Sequence, residues 1–179
     1  MDIQRILINN SGGIVALPMK PMNHGSDGGH LLVNPPRPVW ERSELSAWEL
    51  MQWACLVAAT GQAMLETLPQ LAGGCLNYWE AGNNNLNELA HPVGAKNPKI
   101  HRKMHLHIFG RSPTASHPDW TWGEPPQFPR FANSATWAAQ FTPLSTDECA
   151  AIQAKIEGLL ASKYADVFEA TALSANNSV

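Results

Sequence analysis

The chain reads as an α+β fold: an antiparallel sheet of five to six strands with one long helix packed on it, an irregular Trp- and Pro-rich arm, and a C-terminal helix. Three observations predict this. Short apolar runs punctuated by Gly- and Asn-rich turns fill the first part of the chain. A long amphipathic stretch follows Ser46. A segment from Lys103 to Phe109 then alternates aliphatic residues with polar or aromatic ones.

Ile6-Leu7-Ile8 and Ile14-Val15-Ala16-Leu17 flank Asn9-Asn10-Ser11-Gly12-Gly13, residues that tolerate the positive φ of a hairpin turn. The Gly-rich loop from Asn23 to Gly29 leads into a third strand, His30-Leu31-Leu32-Val33, stopped by Asn34-Pro35-Pro36. Such a loop can cradle phosphate or be a plain turn, and with no helix following it the turn is the simpler reading. Ser46-Ala47-Trp48-Glu49 has capping-box spacing. The positions behind it (Leu50, Trp53, Ala54, Val57, Gly61, Met64, Leu65 and Leu68) make one helical face, with Trp48 and Trp53 as packing groups. Pro69 and Gly73-Gly74 end the helix, Cys75 to Trp79 forms another strand, and an Asn-rich loop runs from Gly82 to Asn87. From Ser112 to Pro143 the chain holds three tryptophans and six prolines with little periodicity, an extended arm or lid whose Trp120 and Trp122 could stack on a base or cover a site, or equally pack between subunits. Ser145 to Glu148 repeats the capping box and opens the last helix, with Cys149, Ile152, Ile156, Leu159 and Leu160 on one side; the small polar tail after about Ala170 is expected to fray.

Composition narrows the functional classes. At 179 residues the chain suits one domain, and its formal charge of −3 argues against a broad footprint for duplex nucleic acid, so phosphate recognition must be local. The three cysteines Cys55, Cys75 and Cys149 are odd in number and form no CxxC, which disfavours a disulfide framework and fits a reducing cytoplasm. No apolar window approaches a membrane span and no signal-peptide pattern opens the sequence, so no membrane partner is expected.

The chemistry concentrates in Lys103-Met104-His105-Leu106-His107-Ile108-Phe109-Gly110-Arg111. Period two puts Lys103, His105 and His107 on one strand face, with the two imidazoles able to address one anion or one metal ion. Metal sites usually need three or four ligands, and His24, His30, His91 and His101 are further candidates that no spacing singles out. His101 shares the face if the strand extends that far.

The order of these elements, with Gly29-His30-Leu31-Leu32-Val33-Asn34-Pro35, the capped helix, the Asn loop and His-x-His before Gly110-Arg111, resembles the histidine-triad (HIT-like) superfamily over roughly residues 5 to 111. On that resemblance, residues 1–111 are the HIT-like core and 112–179 complete the same domain. Registered on Ile108-Phe109-Gly110-Arg111, His105 corresponds to the central histidine, the family's nucleophile, His107 to the third, and Lys103 replaces the first. A second register makes His105 first, His107 central and Phe109 the replacement. The former keeps both apolar positions and Gly-Arg and is preferred.

The resemblance implies a nucleotidyl hydrolase or transferase acting on nucleoside phosphate esters, anhydrides or amidates through a covalent nucleotidyl-histidine. His105 and His107 are then catalytic, and His30, Asn83, His101, Lys103 and Arg111 bind phosphate or nucleotide. Lys103 reads equally as a solvated chain, and any one of Asn83, Asn84 and Asn85 as a turn residue. The implied ligand is a nucleotide or nucleotide-sugar and the implied assembly a homodimer, with no metal and no cofactor. Alternatives are a relative of the sugar-1-phosphate nucleotidyltransferases, a nucleotide-binding protein without turnover, and a histidine-rich metal-binding β protein.

Overall fold

A computed structural model describes residues 3–169; the expected fraying beyond about Ala170 lies outside the described residues. Five strands form one sheet: β1 (Ile3–Asn10), β2 (Gly13–Pro18), β3 (His30–Asn34), β4 (Cys75–Ala81) and β5 (His105–Arg111). Their order is β1-β2-β3-β5-β4, with every neighbouring pair antiparallel. The sequence therefore reads correctly as α+β with an antiparallel sheet, at the lower of the two strand counts. The hairpin joins Asn10 to Gly13, and Asn10 Oδ1 accepts the Gly12 amide at 2.8 Å.

Helix α1 (Ala47–Thr67) begins at Ser46, whose side chain accepts the Glu49 amide while Glu49 accepts the Ser46 amide. Helix α4 (Thr146–Leu160) opens on the same reciprocal cap at Ser145 and Glu148. Both pack on one face of the sheet. Leu56, Ala63 and Met64 of α1 meet Ile152 and Ile156 of α4 and Val15, Leu31, Leu106 and Ile108 of the strands in a single core. The buried stripe of α1 is rotated from the expected one: Leu50, Ala54 and Leu65 are exposed, while Leu56, Ala59, Thr60 and Ala63 face inward. α4 causes this shift, because it covers α1 on a flank that α1's own periodicity could not assign. Trp53 is buried as a packing group; Trp48 is exposed.

The opposite sheet face carries His30 and Leu32 of β3, His105, His107 and Phe109 of β5, and Asn77, Trp79 and Ala81 of β4. The segment expected as an extended arm folds across this face. It contains the short helix α3 (Ser134–Ala138), and Trp120, Trp137 and Phe141 pack with Phe109 in a second, aromatic core. Polar ties hold it there. The Asp27 carboxylate accepts the Ser116 and His117 amides at 3.1 Å each, while within the arm Trp137 Nε1 donates to Asp119 Oδ2 at 2.6 Å.

The Gly-rich loop is a packed knot. Its amides at Gly25, Asp27, Gly28 and Gly29 donate to Thr142, His24, Gly25 and His24 carbonyls, which leaves none of those four for an anion. Gly28 has φ +116° and lies so close to β5 that a Cβ on it would sit 2.6 Å from the Gly110 carbonyl carbon. The phosphate-cradle reading of this loop is not supported, and the turn reading describes it.

Candidate functional site

The antiparallel pairing of β3 with β5 sets Leu32 opposite His107 and His30 opposite Phe109. From that diagonal, His30 Nε2 and His107 Nδ1 come within 2.8 Å, their rings stacked at 5.0 Å and 17°. Both side chains are buried. His30 Nδ1 accepts the Met22 amide at 3.2 Å, so a neutral His30 carries its proton on Nε2 and donates it to His107 Nδ1. His107 is thereby left with its proton on Nε2, the one ring nitrogen free to meet a ligand. These tautomers follow from the hydrogen-bond pattern.

His105 has the complementary assignment. Its Nδ1 lies 2.8 Å from the Lys103 carbonyl, which can only accept, so Nδ1 holds the proton and the Nε2 lone pair is free. The two neighbouring rings, 4.8 Å apart, thus offer different atoms: a lone pair at His105 and an N–H at His107.

Burial disfavours the charged form of all three imidazoles. Desolvation, with a smaller repulsion from His105, takes His30 down to about 3. Desolvation also holds His107 well below the ordinary histidine value, helped by His30 and His105. His105 is lowered by desolvation too, against an opposing pull from the Lys103 carbonyl.

The site opens into a cleft of about 920 Å³ between the sheet face and the folded arm. His30, His105 and His107 line it together with Lys103, Lys20 and Arg37. Among the described residues, no aspartate or glutamate lines it. Arg37 pairs with Glu49 at 2.8 Å. Lys20 and Lys103 are exposed, with no ion pair among the described residues. The cleft is therefore cationic at its rim and mostly apolar within, which suits an anion bearing a flat or apolar group.

Four of the seven residues singled out by sequence (His30, Lys103, His105 and His107) meet in this cleft, and three do not. His101 ends the short helix α2 (Pro98–His101), which Asn97 caps and Pro98 starts, so β5 begins at His105 and the shared-face condition fails. Asn83 accepts from Arg102 Nε at 3.2 Å and is not part of the cleft wall; Asn84 and Asn85 are. Arg111 is buried and spent on the protein. It donates to Asn77 Oδ1 at 2.7 Å and to the Thr121 and Glu124 carbonyls at 2.8 Å each, and lies over the Trp120 ring, so it fastens the arm to the sheet.

The sequence reading missed the aromatic wall. Trp79 stacks at 5.2 Å on His107 and at 4.6 Å on Phe128, and Phe128 and Trp137 form the arm's side of the cleft. The expected contributors stand elsewhere: Trp120 is buried in the aromatic core, and Trp122 does not line the cleft. Alternation along β4 puts Asn77, Trp79 and Ala81 on one face, a signal that could have found Trp79. Among the described residues, no three His, Cys, Asp or Glu side chains converge as metal ligands. None of the described helices is long and apolar enough to cross a membrane.

No family model matches the sequence, and no curated protein matches it. Among solved structures, the chain is similar to a hypothetical histidine triad nucleotide-binding protein from Sulfolobus tokodaii strain 7. The identity is 16%, over 87% of this chain and 85% of that one, with a TM-score of 0.44. A likeness of that size assigns neither a substrate nor a residue role.

The buried pair has a pH signature. His30 and His107 bind protons more weakly folded than unfolded, so their contribution is intact above the unfolded value of 6.5 and is lost as pH falls below it. The slope for each approaches about 1.4 kcal/mol per pH unit until its folded value is reached. The thermal midpoint should therefore fall steadily from pH 6.5 to 4.5, and less steeply in His30→Phe. Equal slopes for the two proteins would contradict the neutral pair.

Proposed function

We propose that the chain binds a nucleoside phosphate ester, anhydride or amidate in this cleft and transfers the nucleotidyl group through His105. The observation that carries this reading is the Nδ1–H bond from His105 to the Lys103 carbonyl, which exposes a neutral Nε2 lone pair in a lysine-rimmed cleft.

The lone pair of Nε2 forms a bond to the α-phosphorus while the bond from phosphorus to the leaving oxygen or nitrogen breaks. The leaving atom takes the electron pair and a proton from solvent. The His107 Nε2–H is the donor available to a non-bridging oxygen as charge gathers there, and the His30 bond holds that tautomer through the step. Water then attacks phosphorus, its proton passes to solvent, the N–P bond breaks and neutral His105 returns. Lys103 and Lys20 supply charge for the phosphate chain without needing a metal, and Trp79 and Phe128 supply flat surfaces for a base.

Incubation with an adenosine phosphoramidate or a dinucleoside polyphosphate should release nucleoside monophosphate and, on acid-free quenching, a nucleotidylated chain. His105→Asn should abolish both while leaving nucleotide affinity within a few-fold. Because burial lowers the His105 value, kcat/KM should fall on acidification with a midpoint below the ordinary histidine value of 6.5. Binding without turnover across such substrates would instead favour a non-catalytic nucleotide-binding protein. Transfer only to a sugar 1-phosphate would favour the nucleotidyltransferase alternative.

The reading includes a homodimer in the cytoplasm. β4 is an edge strand with Tyr78 half exposed on it, a surface open to pairing. Sedimentation at twice the 19.5 kDa chain mass supports the dimer, and sedimentation at the chain mass removes it.

A further inference from the structure

The Lys103 carbonyl that orients His105 lies just outside β5, in a connecting segment that no strand ladder holds. Two features fix it. Arg102, with its side chain only 11% exposed, is tied at each guanidinium nitrogen. Nε donates to Asn83 Oδ1, Nη1 to the Trp40 carbonyl and to Glu41 Oε1 at 3.0 Å, and Nη2 lies 3.6 Å from Glu80 Oε1. Its backbone amide also closes α2 on the Pro98 carbonyl at 2.9 Å. Arg102 thus joins the β4 end, the segment before α1 and the α2 turn at the residue preceding Lys103.

On the other side stands Gly82, at φ +140°. A Cβ there would lie 2.9 Å from the Lys103 carbonyl oxygen and 3.1 Å from Arg102 Cγ. Gly82 lets the β4 end press against that carbonyl without displacing it. One residue further on, the Met104 amide donates to the Val39 carbonyl at 2.9 Å, so the peptide is held from three directions.

We propose that Arg102 is a positioning residue: with Gly82, it clamps the Lys103 carbonyl and so sets the proton of His105 on Nδ1 and the free lone pair on Nε2. Free neutral imidazole side chains have no such constraint and populate both tautomers. The clamp thus turns an exposed loop peptide into a tautomer lock. It rests on the nucleotidyl reading only for its use in catalysis; the lock itself is a property of the unliganded protein.

The test is ¹⁵N NMR of the histidine rings at pH 7.5 in the unliganded protein, for wild type, Arg102→Gln, Glu80→Gln and Gly82→Ala. Wild type should show His105 solely as the Nδ1–H form. Arg102→Gln and Gly82→Ala should show a mixture with Nε2–H, and Glu80→Gln a smaller share of it. The His30 and His107 signals should be unchanged in every variant. A His105 that stays wholly Nδ1–H in all folded variants overturns the proposal, as does a wild-type His105 that is already mixed. If Arg102→Gln or Gly82→Ala fails to fold, Glu80→Gln decides on its own, no shift counting against the lock. Where turnover is found, Arg102→Gln should lower kcat about 10-fold or more and leave KM nearly unchanged. Absence of turnover with the tautomer shift present would sink the nucleotidyl reading and leave the lock standing.

Discussion

Two imidazoles buried in contact cannot both be charged, and with only 2.8 Å between their facing nitrogens one must donate and the other accept. In this chain the Met22 amide settles which, by requiring a lone pair at His30 Nδ1. The choice propagates to His107 and stops there, on an Nε2–H that faces no protein partner among those described. Everything else in the site is arranged around that fixed donor. Phe109 and Trp79 stack against the same rings, keeping water from charging them, and the β3–β5 ladder keeps the diagonal close.

The sheet works as a partition. Its aliphatic face is used up by α1 and α4, so stability is supplied away from the chemistry, while its aromatic and histidine face is covered only by the arm. A cover built from three-ten turns and one short helix has little cohesion of its own, and its position depends on the aromatic core at Phe109 and on polar ties at Asp27 and Arg111. That dependence explains why an arginine that resembles a phosphate ligand in sequence is buried as a brace.

Much of the architecture was legible because it is written locally. Ser46 with Glu49 and Ser145 with Glu148 announce two helix starts; Asn10 through Gly13 announces the hairpin; alternation from Met104 to Ile108 announces a strand with its histidines on one side. What was not legible required knowing which strands become neighbours. His30 could be named but not paired, alternation could put Trp79 on a face of β4 but not beside His107, and the stripe of α1 shifted because α4 packs on it. His101 is a different case: Asn97 and Pro98 are ordinary helix-start residues, and reading them would have ended the strand at its true boundary. The arm defeated periodicity altogether, since its residues are placed by scattered aromatic and polar contacts.

The central claim, that His105 offers Nε2 to phosphorus while His107 steadies the oxygens, is tested most directly by a crystal structure of the protein soaked with a nucleoside monophosphate. The α-phosphorus should lie about 3 to 3.5 Å from His105 Nε2, with His107 Nε2 on a non-bridging oxygen and the base against the Trp79–Phe128 wall. A phosphorus placed on His107 instead, or a nucleotide bound away from the cleft, would contradict it.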